Sequence, residues 1–173
     1  MAKNLILYYS RSGENYLNGN IVFLEKGNTR ICAEFIQKAV GGVLFEIKTV
    51  SSYPKNYHEC TKQALEEFKA KTRPSLQNYL QDLDEYNNVF VCGPCWWGTF
   101  PMAVFSLLES LDFKGKKVMC LMTHEGSGLG QSERDLKRVC TGASFGSSIA
   151  IHGADASQSF DVIYKWAKNN IND

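Results

Sequence analysis

A chain of 173 residues with 44% apolar and 21% charged residues and four prolines has the makeup of a folded globular protein, and its length reads as one domain over residues 1–173. A formal net charge of +1 argues against nucleic acid or an acidic membrane surface as a partner. No apolar run approaches the ~20 residues of a membrane span, and Met1-Ala2-Lys3-Asn4 leads straight into a core strand, so no membrane partner and a cytoplasmic location are expected.

In chain order, the apolar run Leu5–Tyr9 reads as a buried strand. It empties into the polar turn Ser10-Arg11-Ser12-Gly13. After an intervening stretch, Gly27-Asn28-Thr29 heads a helix with Cys32, Phe35, Ile36, Ala39 and Val40 on one face. A strand, polar turn and helix start suit a phosphate, because the first amides of a helix are unpaired and carry positive partial charge. No lysine closes the turn, so the Walker pattern is absent. An ordinary βα connection has the same outline. The stretch between carries Asn18-Gly19 flanked by β-prone residues, which predicts a small β-hairpin near residues 14–26.

Val43–Ile47 reads as the second strand, followed by a helix lined by Cys60, Ala64 and Phe68. The polar segment 71–88, with Pro74, is expected to be a loop or short helix. Val89–Cys92 is the third strand, and Pro101 suits the first turn of a helix bearing Val104, Phe105, Leu107, Leu108 and Leu111. Val118–Met122 and Ser147–Ile151 are the fourth and fifth strands, and a last helix is lined by Phe160, Tyr164, Ala167 and Ile171. Strands that are mostly apolar without alternation belong to a parallel sheet covered on both faces. The expected fold class is therefore α/β, a doubly wound five-stranded parallel sheet with helices on both faces.

Three loops leave strand ends, where open parallel sheets bind their ligands. Besides Ser10–Gly13 these are Gly93–Pro101, with its adjacent Trp96 and Trp97, and Thr123–Gly130, with glycines at 126, 128 and 130. Two tryptophans at a loop tip either plug the core or face a planar ligand. Closely spaced glycines let backbone lie flat against a ring, or simply make a flexible loop. A phosphate seat, an aromatic wall and a glycine-rich floor together describe a site for flavin mononucleotide (FMN). His124 and Glu125 are the acid–base candidates in these loops, although His124 has the alternative of only shaping its loop. His58 and His152 are isolated and read as structural or solvated, and no cluster has metal-ligand spacing.

Cys92-Gly93-Pro94-Cys95 spells a redox dithiol. Against that reading, it sits late in the chain, no proline follows Pro101, and Cys92 ends an apolar run. The six cysteines fall mostly in apolar patterns and read as small hydrophobes, with no disulfide framework expected.

The segments Tyr8–Tyr16, Gly27–Thr29, Pro94–Gly98 and Thr123–Gly128 together resemble the flavodoxin-like family, most of all a branch with a hairpin inside the phosphate loop. The resemblance spans the chain and implies FMN as cofactor. It places the phosphate at Ser10, Arg11 (through its backbone), Asn28 and Thr29, with Ser12 and Asn15 displaced by the insert from the family's uninterrupted order. The ring would lie between Pro94, Cys95, Trp96, Trp97, Gly98 and Thr99 on one side and Thr123, His124, Glu125, Gly126 and Gly128 on the other. Cys95 would touch the flavin region. The family implies an FMN-binding electron-transfer protein serving a redox partner protein or small electron acceptor. The alternative is an FMN-dependent NAD(P)H:quinone-type oxidoreductase, which the near-neutral charge favours over a strongly acidic carrier. A thioredoxin-like dithiol protein and a flavin-free interaction module are the remaining readings.

Overall fold

The computed structural model describes residues 3–172. In chain order it builds strand β1 (Asn4–Tyr8), strands β2 (Gly13–Leu17) and β3 (Asn20–Leu24), helix α1 (Asn28–Val40), strand β4 (Val43–Glu46) and helix α2 (Tyr57–Ala70). Then come β5 (Asn88–Pro94), α3 (Met102–Leu108), β6 (Lys117–His124), α4 (Ser132–Val139), the short strands β7 (Ser144–Phe145) and β8 (Ile149–His152), a 3₁₀ turn (Gly153–Gln158) and α5 (Phe160–Asn172). The main sheet is parallel and runs β4-β1-β5-β6-β7, with β8 also on β6. The expected doubly wound α/β fold is present.

Successive residues of the central strands point to opposite faces, and both faces are buried. Leu5, Leu7, Val89, Val91, Val118, Cys120 and Met122 face α3 and Leu136 of α4. Ile6, Tyr8, Phe90, Cys92, Met119 and Leu121 face α1 and α5. This explains why the strands read as continuous apolar runs. Each fully buried leucine, isoleucine or phenylalanine contributes about 2 kcal/mol to the core. The hairpin β2–β3 is a separate two-stranded sheet. Asn18 and Gly19 both have positive φ, 49° and 84°, as a two-residue hairpin turn requires.

The expected fifth strand, Ser147–Ile151, is corrected. The edge position is filled by β7 and β8, with the break between them. Val118 pairs with Phe145 and Leu121 with Ile149, so one extra residue is inserted as a bulge. Asn170 of α5 holds the bulge. Its side chain accepts from the Ser147 N–H at 2.9 Å and donates to Ser147 Oγ at 3.0 Å, while Trp166 Nε1–H donates to Ser147 O at 3.0 Å. Asn170 is buried, so Asn170→Ala strands several polar groups. Stability in urea is expected to fall by about 2–3 kcal/mol; a loss within about 0.5 kcal/mol would contradict this role.

Three further details depart from the sequence reading. Phe68 is exposed, and only Cys60 and Ala64 of its predicted face are buried. In α5 the buried apolar residues are Ile163, Trp166 and Ala167, while Phe160 and Tyr164 lie at the surface, Phe160 edge-on to Phe35 at 5.3 Å. The segment 71–87 is a loop, one of the two forms expected of it, and is pinned by buried Leu76 and Leu83. Helix α4 has little apolar signal: it buries Ser132, Asp135 and Leu136. Among the described residues no helix is long and apolar enough to cross a membrane.

Candidate functional site

Strands β1 and β5 are neighbours whose connections leave to opposite faces, α1 joining α5 on one and α3 lying on the other. A crevice opens at their carboxyl ends. Its edge is continued beyond the strands by Tyr9 N–H to Cys92 O at 3.0 Å and Cys95 N–H to Thr123 O at 2.8 Å.

The turn after β1 is drawn tightly against the start of α1. Gly27 is the N-cap, and a Cβ there would meet Ser10 Oγ and the Arg11 carbonyl at 2.2 and 2.5 Å. Ser10 Oγ accepts from the Arg30 N–H at 3.1 Å and so caps the helix from another segment. No described residue accepts from the N–H groups of Asn28 or Thr29. Those two amides are the anion-seeking end of the helix. The hydroxyls of Thr29 and Thr123 are hydrogen-bonded at 2.8 Å and both residues are buried, locking α1 to β6.

Arg11 spends its side chain on structure: Nε donates to Glu14 O and a terminal nitrogen to the carbonyls of Pro54 and Lys55. Asn15 Nδ2 donates to Arg11 O and Gly13 O, fastening the hairpin base. The hairpin thereby becomes one wall of the crevice. Its Tyr16 lies parallel to Tyr57, ring centres 6.0 Å apart, and Glu14 accepts from the Tyr57 N–H at 2.7 Å.

The two tryptophans part company. Trp96 lies edge-on to Tyr9 and Tyr53, 5.1 Å from each, and lines the crevice. Trp97 adopts φ 54°, half-exposed, and its Nε1–H donates to Thr61 O on α2 at 3.0 Å. Trp96 and Thr99 form an antiparallel bridge around Trp97-Gly98, both at positive φ. This turn geometry is unusual for a bulky residue and is invisible in composition. Thr99 is buried and donates to Asp135 of α4 at 2.7 Å, facing away from the crevice. Gly98 O accepts from Gln131 N–H, and a Cβ on Gly130 would meet that same oxygen at 2.3 Å. Gly98 and Gly130 therefore join the tryptophan loop to the glycine-rich loop.

The crevice comprises two adjoining cavities of about 160 and 270 Å³ that share Arg11, Asn15, Tyr57, Cys95 and Trp96. Of the residues singled out in the sequence, Arg11, Asn15, Asn28, Thr29, Pro94, Cys95, Trp96, Thr123, His124 and Glu125 line the first. Trp97 lines only the second. Ser10 and Ser12 line a surface depression beside Arg30 and Lys48, and Gly98, Thr99, Gly126 and Gly128 line neither cavity. Tyr57, Ser127 and Gly153 line the first cavity without having been singled out. A tyrosine at the start of a helix offers no motif, and Gly153 arrives only through the bulged edge.

His124 Nδ1 accepts from the Gly126 N–H at 2.9 Å, which leaves Nε2 to carry the proton. Burial, then the neighbouring His152 ring, push its pKa below the usual histidine value. His152, read as isolated, in fact lies 5.7 Å ring to ring from His124, with Nε2 3.7 Å from Glu125 Oε2. Glu125 also accepts from the Asn18 N–H at the hairpin tip, 3.0 Å. A histidine with a lowered folded pKa leaves stability intact above its unfolded pKa, near 6.5, and loses it as pH falls toward the folded value. His124→Asn keeps an acceptor for Gly126 and abolishes the titration. The decline in urea midpoint from pH 7 to 5 is expected to be smaller in the variant; an equal decline would contradict the assignment.

All six cysteines are free. Cys92 is wholly buried, which raises its thiol pKa well above the ordinary value. Burial also raises that of Cys95, against hydrogen bonds to Gly98 and Ser127 that lower it. Neither is poised as a thiolate, so the pair lacks the reactive member a dithiol exchanger needs.

A family model described as flavodoxin matches residues 20–170. The chain belongs to the flavodoxin family. Among solved structures, a Bacteroides uniformis protein assigned as a flavoprotein shares 27% identity at a TM-score of 0.75, over 96% of this chain and 98% of its own. A Lactobacillus acidophilus flavoprotein solved in complex with FMN shares 20% identity at a TM-score of 0.66, over 96% of this chain and 99% of its own. Oxidised flavodoxin 2 from Bacillus cereus shares 20% identity at a TM-score of 0.59, over 99% of each chain. Those two likenesses concern the fold. No curated protein matches the chain.

Proposed function

We propose that this member of the flavodoxin family binds FMN in the crevice and works as an electron-transfer protein toward a redox partner protein or small electron acceptor. The observation that carries the reading is the convergence of two unpaired amides at the α1 start with the Trp96 and Thr123–Ser127 walls in one crevice. Bound FMN would supply one- and two-electron redox chemistry. The chain's own residues seat and shield it. The Asn28 and Thr29 amides take the phosphate, Trp96 walls the ring region, and His124, whose Nδ1 is taken by the Gly126 N–H, keeps Nε2–H as a donor among the crevice-lining groups.

A second reading, an FMN-dependent oxidoreductase that takes hydride from NAD(P)H, is favoured by the formal net charge of +1, since a carrier steered to basic partners is expected to be strongly acidic. Anaerobic reductive titration of the FMN-loaded protein decides between them. Two resolved one-electron steps without NADPH oxidation support the carrier. A single two-electron step with rapid NADPH oxidation in the presence of a quinone contradicts it.

Thr29→Ala removes a helix-start hydroxyl and leaves the buried Thr123 hydroxyl short of a partner. FMN affinity is expected to drop about tenfold more than riboflavin affinity, as read by flavin fluorescence quenching. Equal losses would remove Thr29 from the phosphate seat.

A further inference from the structure

A groove of about 530 Å³, larger than either cavity of the crevice, lies between the C-terminal half of α2 and α4, across the first turns of α3. Apolar side chains of Phe68, Met102 and Phe105 line it, Phe68 being 41% exposed. Lys69 and Lys71 at the end of α2 and Arg73 just beyond stand on one side, Arg134 and Arg138 of α4 on the other. The lining holds one carboxylate, Asp135, in a chain whose net charge is only +1. With Glu109, which pairs with Arg73 at the edge of the groove, five cations face two carboxylates, so this face carries a net positive charge.

The cations differ in freedom. Arg73 is fixed by two hydrogen bonds to Glu109, both 2.8 Å, and lies 5.4 Å over the Phe105 ring. The Arg134 and Arg138 side chains are 70% and 60% exposed, on the rim. Asp135 already accepts from Thr99 and Arg134 and has an Arg138 terminal nitrogen 3.9 Å away, so the two rim arginines share one carboxylate.

We propose that this groove docks an acidic segment of a partner protein, which inserts an apolar side chain against Phe68 between the two cationic walls. Exposed rim cations attract carboxylates spaced along a chain and raise the rate of encounter. An exposed aromatic ring within the groove is the anchor around which such contacts gain strength. A small anion would instead have to approach the Asp135 carboxylate in the lining. The proposal does not depend on the flavin reading, because its readouts contain no flavin.

A random glutamate–tyrosine copolymer is a suitable probe, titrated calorimetrically and by amide NMR shifts. Binding is expected to shift resonances of residues 68–73 and 134–138 and to weaken about tenfold as salt rises from about 50 to 300 mM. Lys69→Glu combined with Arg138→Glu, one change on each wall, is expected to weaken it at least about tenfold. Lys71→Gln, at an exposed position, is expected to weaken it about twofold with an unchanged melting temperature, and this milder variant decides the matter if the double variant misfolds. The proposal is overturned if the copolymer does not bind, if Lys71→Gln and the folded double variant bind it as the native protein does, or if polylysine binds equally well. Tighter binding of inorganic pyrophosphate than of the copolymer at these residues would identify a small-anion site and also overturn it.

Discussion

Gly27→Ala is expected to reduce FMN affinity by about two orders of magnitude, equivalent to about 2–3 kcal/mol. The added methyl would fall 2.2 Å from Ser10 Oγ and 2.5 Å from the Arg11 carbonyl oxygen. The side chain of Ser10 can rotate, but the carbonyl belongs to the backbone of a turn fixed by Asn15 and by the Arg11 guanidinium. Relief therefore requires the turn and the helix start to separate. That movement breaks the Ser10 cap on Arg30 and spreads the amides expected to hold the phosphate. Riboflavin, which has no phosphate, should lose much less. Fluorescence titration of both flavins against the variant checks this, and native FMN affinity in Gly27→Ala would show that the close approach is not needed.

The second large effect separates the adjacent tryptophans. Trp96→Ala is expected to lower stability by about 3–5 kcal/mol in urea, because its indole is wedged between Tyr9 and Tyr53 and packs on the core. The same substitution removes a wall of both cavities, so FMN affinity should fall as well. Trp97→Gly should change stability by no more than about 1 kcal/mol. It loses one hydrogen bond to Thr61 but relieves a left-handed backbone conformation that glycine adopts freely. Equal destabilisation by the two substitutions would contradict the division of roles.

These tryptophans also show where the sequence stops informing. The pair was legible as an aromatic wall, since two indoles beside Pro94 and Gly98 on a strand-end loop had to be placed somewhere. Which indole faced inward depended on positive φ at Trp97 and on Thr99 reaching Asp135, both tertiary facts. The central strands were legible because burial on both faces demands uninterrupted apolar residues, and the hairpin because Asn18-Gly19 satisfies a specific turn. Helix α4 is not legible because its eight residues hold only two apolar side chains, Leu136 and Val139, among five charged ones. The α5 face differs from its apolar pattern for the opposite reason: Phe160 and Tyr164 are apolar by type yet sit at the surface, while the buried face includes Asn170. Tyr57 and Gly153 were missed because the fold alone brings a helix start and a 3₁₀ turn to the crevice.

The direct test of FMN binding in the crevice is equilibrium titration of the flavin-free protein with FMN and with riboflavin, read by quenching of flavin fluorescence. A 1:1 FMN complex is expected, with a dissociation constant in the micromolar range or below and riboflavin at least about 100-fold weaker, a difference of about 3 kcal/mol supplied by the phosphate at the start of α1. No FMN uptake at about 100 µM, or equal affinity for the two flavins, would contradict it.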